Sequence, residues 1–126
     1  MAVILVVDDD SSLRDVLRKM LNFFGHTVVE ASNGLEAEDV VAMRPVDLVI
    51  TDIIMPDKEG ITLVRDLKRR QPDLKILVIS GGGRTASFGL LDAAGQFGAE
   101  AMLRKPFKMN ELLGAVSALV GGHPSS

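Results

Sequence analysis

Short apolar runs and helix-period stripes alternate along the whole chain. Residues 3–7 (Val-Ile-Leu-Val-Val) are an unbroken apolar, β-branched run, the pattern of a strand covered on both faces. Over 11–24 the apolar positions Leu13, Val16, Leu17, Met20, Leu21 and Phe24 step by three and one, which predicts an amphipathic helix. Asp10 or Ser11 can cap it and Gly25 stops it. The same reading gives a strand at 27–31, then a helix from Asn33-Gly34 to about 43, ended by Pro45. Strands follow at 46–51, 74–79 and 99–103. Helices are expected at 60–70, at about 85–97 after Gly81-Gly82-Gly83, and at 109–120.

Five strands alternating with five helices predict right-handed crossovers and one parallel sheet with helices on both faces. No linker, repeat or low-complexity tract interrupts the order, so 1–120 is read as one domain and 121–126 as a flexible C-terminal tail. Ligands of such sheets bind at the carboxyl ends of the strands. That directs attention to Asp8-Asp9-Asp10 after the first strand, Asp52 after the third, Ser80 after the fourth and Lys105-Pro106 after the fifth.

Composition narrows the chemistry. The chain has 126 residues, 47% hydrophobic and 25% charged, as in an ordinary globular domain. It has no cysteine, which removes thiol catalysis, Cys-based zinc sites and disulfides. With no Trp or Tyr, and 14 basic against 17 acidic residues, it is a poor candidate for base stacking or general polyanion binding, so no nucleic-acid partner is expected. The apolar start lacks a basic leader and is too short for a signal peptide or a membrane span. A cytoplasmic location without membrane contact is therefore expected.

Clustered carboxylates repel one another unless a cation is present. Hard oxygen donors at this density suit Mg²⁺. Lys105 and Ser80 could hold a phosphoryl oxygen, by charge and by hydrogen bond. An ionised aspartate can itself be the nucleophile in phosphoryl transfer.

Four motifs stand in order at these strand ends: Ile4-Leu5-Val6-Val7-Asp8-Asp9-Asp10; Asp47-Leu48-Val49-Ile50-Thr51-Asp52-Ile53-Ile54-Met55-Pro56 with Gly60; Ile79-Ser80-Gly81; and Leu103-Arg104-Lys105-Pro106-Phe107. Through them the chain resembles the receiver domains of bacterial two-component response regulators, over about 2–120. The resemblance implies a flavodoxin-like (CheY-like) α/β fold with strand order 2-1-3-4-5. It implies that Asp52 accepts a phosphoryl group from a histidine kinase or a histidine phosphotransfer protein, so that the domain is a switch and not a classical enzyme. Asp8, Asp9, Asp52 and the Ile54 backbone carbonyl would hold Mg²⁺, with Asp8 acting mainly through a metal-bound water. Ser80 would be the switch hydroxyl, Lys105 would bond the phosphoryl group, and Lys105-Pro106 would be cis. Output would pass to a protein partner through the face of the fourth helix, fifth strand and fifth helix.

Three positions depart from the family pattern. Met102 stands three residues before the lysine, where an aromatic switch is common. Ile54 and Gly82 flank the expected path of the hydrolytic water and pull in opposite directions, since Ile54 cannot orient water and Gly82 leaves room for it; slow self-dephosphorylation is expected. The Ser80-to-Lys105 interval is longer than usual near Gly81–Ser87, a candidate mobile loop. Elsewhere the plainer readings are preferred. Asp10 is read as a helix cap, Asp47 as a turn or capping residue, His26 as structural or exposed, and Lys68-Arg69-Arg70 as a solvated helix end. Two other classes fit part of the pattern. In a haloacid-dehalogenase-like phosphatase Asp8 would be the nucleophile, which leaves Asp52 unexplained. A receiver cut from a larger hybrid kinase or transcription factor is the other.

Overall fold

The computed structural model describes residues 2–52, 60–80, 98–105 and 107–120. They form a five-stranded sheet in the order β2-β1-β3-β4-β5, every pairing parallel. The strands are β1 (Val3–Val7), β2 (Thr27–Ala31), β3 (Leu48–Asp52), β4 (Lys75–Ser80) and β5 (Ala101–Arg104). The helices among the described residues are α1 (Ser11–Phe23), α2 (Gly34–Met43), α3 (Gly60–Arg70) and α4 (Met109–Val120). The last is the fifth helix of the sequence expectation. The helix expected at 85–97, the loop at Gly81–Ser87 and the tail at 121–126 lie outside the described residues.

The unbroken apolar strands have a simple cause: both faces of the sheet are covered. Leu5, Val7, Val49, Ile76 and Val78 pack on one face with Ala37, Val41, Leu63 and Leu67 of α2 and α3. Ile4, Val6, Leu48, Ile50, Leu77 and Ile79 pack on the other with Leu17, Leu21, Leu112 and Val116 of α1 and α4. Helix ends follow local chemistry. Asp10 caps α1, its Oδ1 accepting from the Ser12 and Leu13 N–H groups at 2.9 and 3.3 Å. Asn33 caps α2 in the same way through Glu36 N–H at 2.9 Å. Gly25 ends α1 at φ +94, a left-handed conformation that glycine adopts at little cost.

The strands end later than their apolar runs predict. Asp52 pairs with Ile79 and Ser80 with Arg104, so both polar residues belong to the ladder itself. A backbone ladder continues through a polar residue, whereas a hydrophobic pattern stops at it. The start of β3 moves from 46 to Leu48. Asp47 leaves the strand to bind β1: its N–H donates to the Val3 carbonyl and its Oδ2 accepts from the Val3 N–H, both at 2.8 Å. This is the turn role expected of it.

One expectation is corrected. Lys68 is not part of a solvated helix end, since only 16% of its side chain is exposed. Its Nζ donates to the carbonyls of Pro72 and Leu74 at 3.1 and 2.8 Å and to Glu100 Oε2 at 2.6 Å. The chain reverses tightly after α3 and turns its carbonyls inward, and the nearest long cation fills them.

Candidate functional site

Side-chain alternation and strand register build the site. Residues of β1 alternate between faces, so Ile4, Val6 and then Asp8 look toward α1 and α4. On β3 the same parity carries Leu48, Ile50 and then Asp52. Val7 pairs with Thr51, so Asp8 and Asp52 follow as neighbours on one face of adjacent strands. Ala101 and Leu103 of β5 pack on that face too, which sends Lys105 toward it from across β4.

The distances agree. Carboxylate oxygens of Asp8, Asp9 and Asp52 all lie within 4.8 Å of one another. Lys105 Nζ is 3.7 Å from Asp8 Oδ2 and 3.9 Å from Asp52 Oδ2. Asp8 is 3% exposed, Asp9 lies at the surface, and 12% of the Asp52 side chain is exposed. Burial pushes the Asp8 carboxyl above the usual range, and the like charges of Asp52 and Asp9 add to it; the Asp10 N–H and Lys105 pull the other way. Three carboxylates against one ammonium leave a formal excess of two negative charges. At an effective dielectric of 20, two carboxylates this close repel by about 3 kcal/mol. The donor set is hard oxygen, and its excess charge equals that of a divalent cation, so these residues fit Mg²⁺.

The rim of the cluster is pinned by backbone bonds. The Asp8 N–H donates to the Ala31 carbonyl at 3.1 Å, which extends the β1–β2 ladder by one residue. Asp8 Oδ1 accepts from the Asp10 N–H at 2.9 Å. Arg14 Nη1 donates to the Asp8 carbonyl, and Arg14 Nε donates to Glu30 Oε1 at 3.0 Å. No apolar pattern singles out Arg14. The available signal is its place four residues after Asp10, where its backbone N–H bonds the Asp10 carbonyl at 3.1 Å.

The structure therefore brings together Asp8, Asp9, Asp52 and Lys105. Ser80 is the last residue of β4, one ladder position beyond the Asp52–Ile79 pair. Met102 lies across from Val78, two residues below the end of β5, and is 43% exposed. Ile54, Gly82 and Pro106 lie outside the described residues. Asp10 serves as the α1 cap. His26 is structural, its Nδ1 accepting from the Ala2 N–H at 3.2 Å.

Fold and site together define a class: a doubly wound α/β domain with an acidic, cation-type pocket and one lysine at the carboxyl edge of its sheet. Comparison with known proteins makes the class specific. Residues 4–117 match the family model described as the response regulator receiver domain. The chain is 40% identical over 118 residues to response regulator MprA of Mycobacterium sp. (strain KMS), covering 93% of this chain and 50% of that protein. It superposes on a CheY-like response regulator receiver domain protein from Methanospirillum hungatei JF-1 with a TM-score of 0.89 and 26% identity, covering 96% and 94% of the two chains. It superposes on the receiver domain of NtrX from Brucella abortus with a TM-score of 0.87 and 29% identity, covering 95% and 99%. The chain belongs to the response regulator receiver domain family of two-component signalling. It spans about half the length of the curated relatives it matches. Receiver domains are signalling modules, not classical enzymes. Among the described residues no helix is long and apolar enough to cross a membrane.

Proposed function

We propose that this domain is a phosphorylation switch whose acceptor is Asp52. The carrying observation is the convergence of three carboxylates, from the ends of two strands, within 4.8 Å of one another, with Lys105 Nζ 3.7 and 3.9 Å from two of them. The Asp52 carboxylate, already ionised, needs no general base. One of its oxygens attacks the phosphorus of a phosphohistidine on a histidine kinase or a histidine phosphotransfer protein. An O–P bond forms, the P–N bond breaks, and the imidazole leaves with the bonding electron pair. Lys105 loses one counter-charge and turns to the new phosphoryl oxygens, and the Ser80 hydroxyl bonds the same group. Asp8, Asp9 and Asp52, with the Ile54 carbonyl that the family pattern adds, would hold Mg²⁺, which when bound would neutralise charge on the transferring oxygens. Rearrangement around Ser80 and Met102 then shifts the population of the face made by the helix expected at 85–97, β5 and α4. That shift changes its affinity for a downstream protein.

The test is incubation of the purified chain with a radiolabelled small phosphodonor and Mg²⁺, followed by mapping of the label. The expected result is one acyl phosphate on Asp52 that disappears in Asp52→Ala and without Mg²⁺. Label on Asp8 would instead mark the haloacid-dehalogenase-like chemistry.

A further inference from the structure

We propose that Arg14, held by Glu30, is a positioning residue for the acid cluster: it fixes the Asp8–Asp9 peptide and so sets how tightly the cluster takes a divalent cation. This rests on the cation role proposed above and deepens it. Arg14 sits in the first turn of α1, and only 16% of its side chain is exposed. Its guanidinium spans two acceptors, with Nη1 donating to the Asp8 carbonyl and Nε to Glu30 Oε1. Glu30 is itself fixed by the sheet, since it pairs with Val6 in the β1–β2 ladder.

The Asp8 carbonyl belongs to the peptide that leads to Asp9. That peptide is planar, so a bond that pins its oxygen also sets the direction in which the chain enters Asp9. Asp8 has its own restraints, a ladder bond to Ala31 and an accepted bond from the Asp10 N–H. Asp9 lies beyond that last ladder bond and is the exposed member of the cluster. Its carboxylate stays with the others only while the peptide before it keeps its orientation. A planar fork is suited to this task because its donors are rigidly spaced; an ammonium on a flexible stem reaches one acceptor at a time. Glu30 balances the Arg14 charge at 3.0 Å, so the fork contributes geometry rather than field. Arg18 provides a matched control. It pairs with the same Glu30, through Oε2 at 3.3 Å, and otherwise with Asp15 on its own helix.

The test is Mg²⁺ titration by calorimetry on the full chain, in wild type, Arg14→Met, Arg14→Lys and Arg18→Met, with the Mg²⁺ dependence of phosphorylation by acetyl phosphate. Outer-shell contacts of this kind support metal affinity by about tenfold or more, so Arg14→Met is expected to bind Mg²⁺ about tenfold more weakly. Arg14→Lys recovers part of that loss, and Arg18→Met retains wild-type affinity. Arg14→Met also needs correspondingly more Mg²⁺ for half-maximal phosphorylation yet reaches the wild-type plateau rate, a split that general destabilisation does not produce. Wild-type affinity in Arg14→Met overturns the proposal, as does an equal loss in Arg18→Met, which would mark α1–β2 packing as the cause. If Arg14→Met does not fold by circular dichroism, Arg14→Lys decides: weakened binding supports the proposal and wild-type binding overturns it. No Mg²⁺ uptake by wild type removes the cation role of the site and this proposal with it.

Discussion

His26 follows the glycine that ends α1 and accepts the Ala2 N–H through Nδ1, a bond that only the neutral ring can make. Burial lowers its pKa from the ordinary 6.5. The unfolded chain therefore takes up the proton first as pH falls. The stability that His26 contributes is complete above 6.5 and is lost as pH drops through the lowered folded value. Thermal melts between neutral and mildly acid pH are expected to show the midpoint falling in wild type, with this part of the slope missing in His26→Gln. Its place after Gly25 left His26 either structural or exposed, and the bond from the Ala2 N–H decides for the structural role. The fork of Arg14 was not legible in the sequence, because a long charged side chain has no period, and its partners Asp8 and Glu30 are brought near only by the β1–β2 pairing.

Elements were legible wherever an apolar run is long and its ends are chemically marked. Asp10 and Asn33 start α1 and α2, and Gly25 follows the end of α1, as expected. The ends of β3 and β4 shift by one residue because Asp52 and Ser80 remain in the ladder after the hydrophobic signal has ceased. The α3-to-β4 connection was misread, since Lys68 at a helix terminus looks the same in sequence whether it faces water or folds back on carbonyls. Gly98, just before β5, takes φ +115, and a Cβ at that position would come within 3.0 Å of Lys68 Cε. The Lys68 ammonium joins the end of α3, the start of β4 and the residue before β5. Removing it leaves the Leu74 carbonyl and Glu100 without their shared donor. Lys68→Met, which keeps the aliphatic stem, is expected to cost about 2 kcal/mol of unfolding free energy by urea denaturation. Arg69→Met is the comparison for a helix-end cation and is expected to cost under about 0.5 kcal/mol.

Across the whole molecule, the order of strands and helices carried the fold, and alternation with register carried the cluster. A parallel sheet delivers every strand's carboxyl end to one edge, so Asp8, Asp52 and Lys105 meet although they are far apart in sequence. The cluster lowers the stability of the metal-free fold, since like charges face a buried, raised Asp8. Asp52→Asn is therefore expected to melt higher than wild type without metal. Adding Mg²⁺ at about 100 times its dissociation constant should stabilise wild type by about 2.7 kcal/mol and reverse that order. Unchanged ranking in differential scanning calorimetry would argue against a divalent cation at the cluster. At the opposite edge the sheet is tied down: Glu100 exchanges two 2.9 Å bonds with Ile76 and holds Lys68. Mechanically, β5 is a beam clamped at Glu100 and loaded at Lys105, a span of about 16 Å at strand rise. Deflection of such a beam grows with distance from the clamp. A disturbance at the acid cluster therefore enters β5 at its Lys105 end, farthest from the clamp, and meets β4 along the ladder that runs from Ala101 to Arg104.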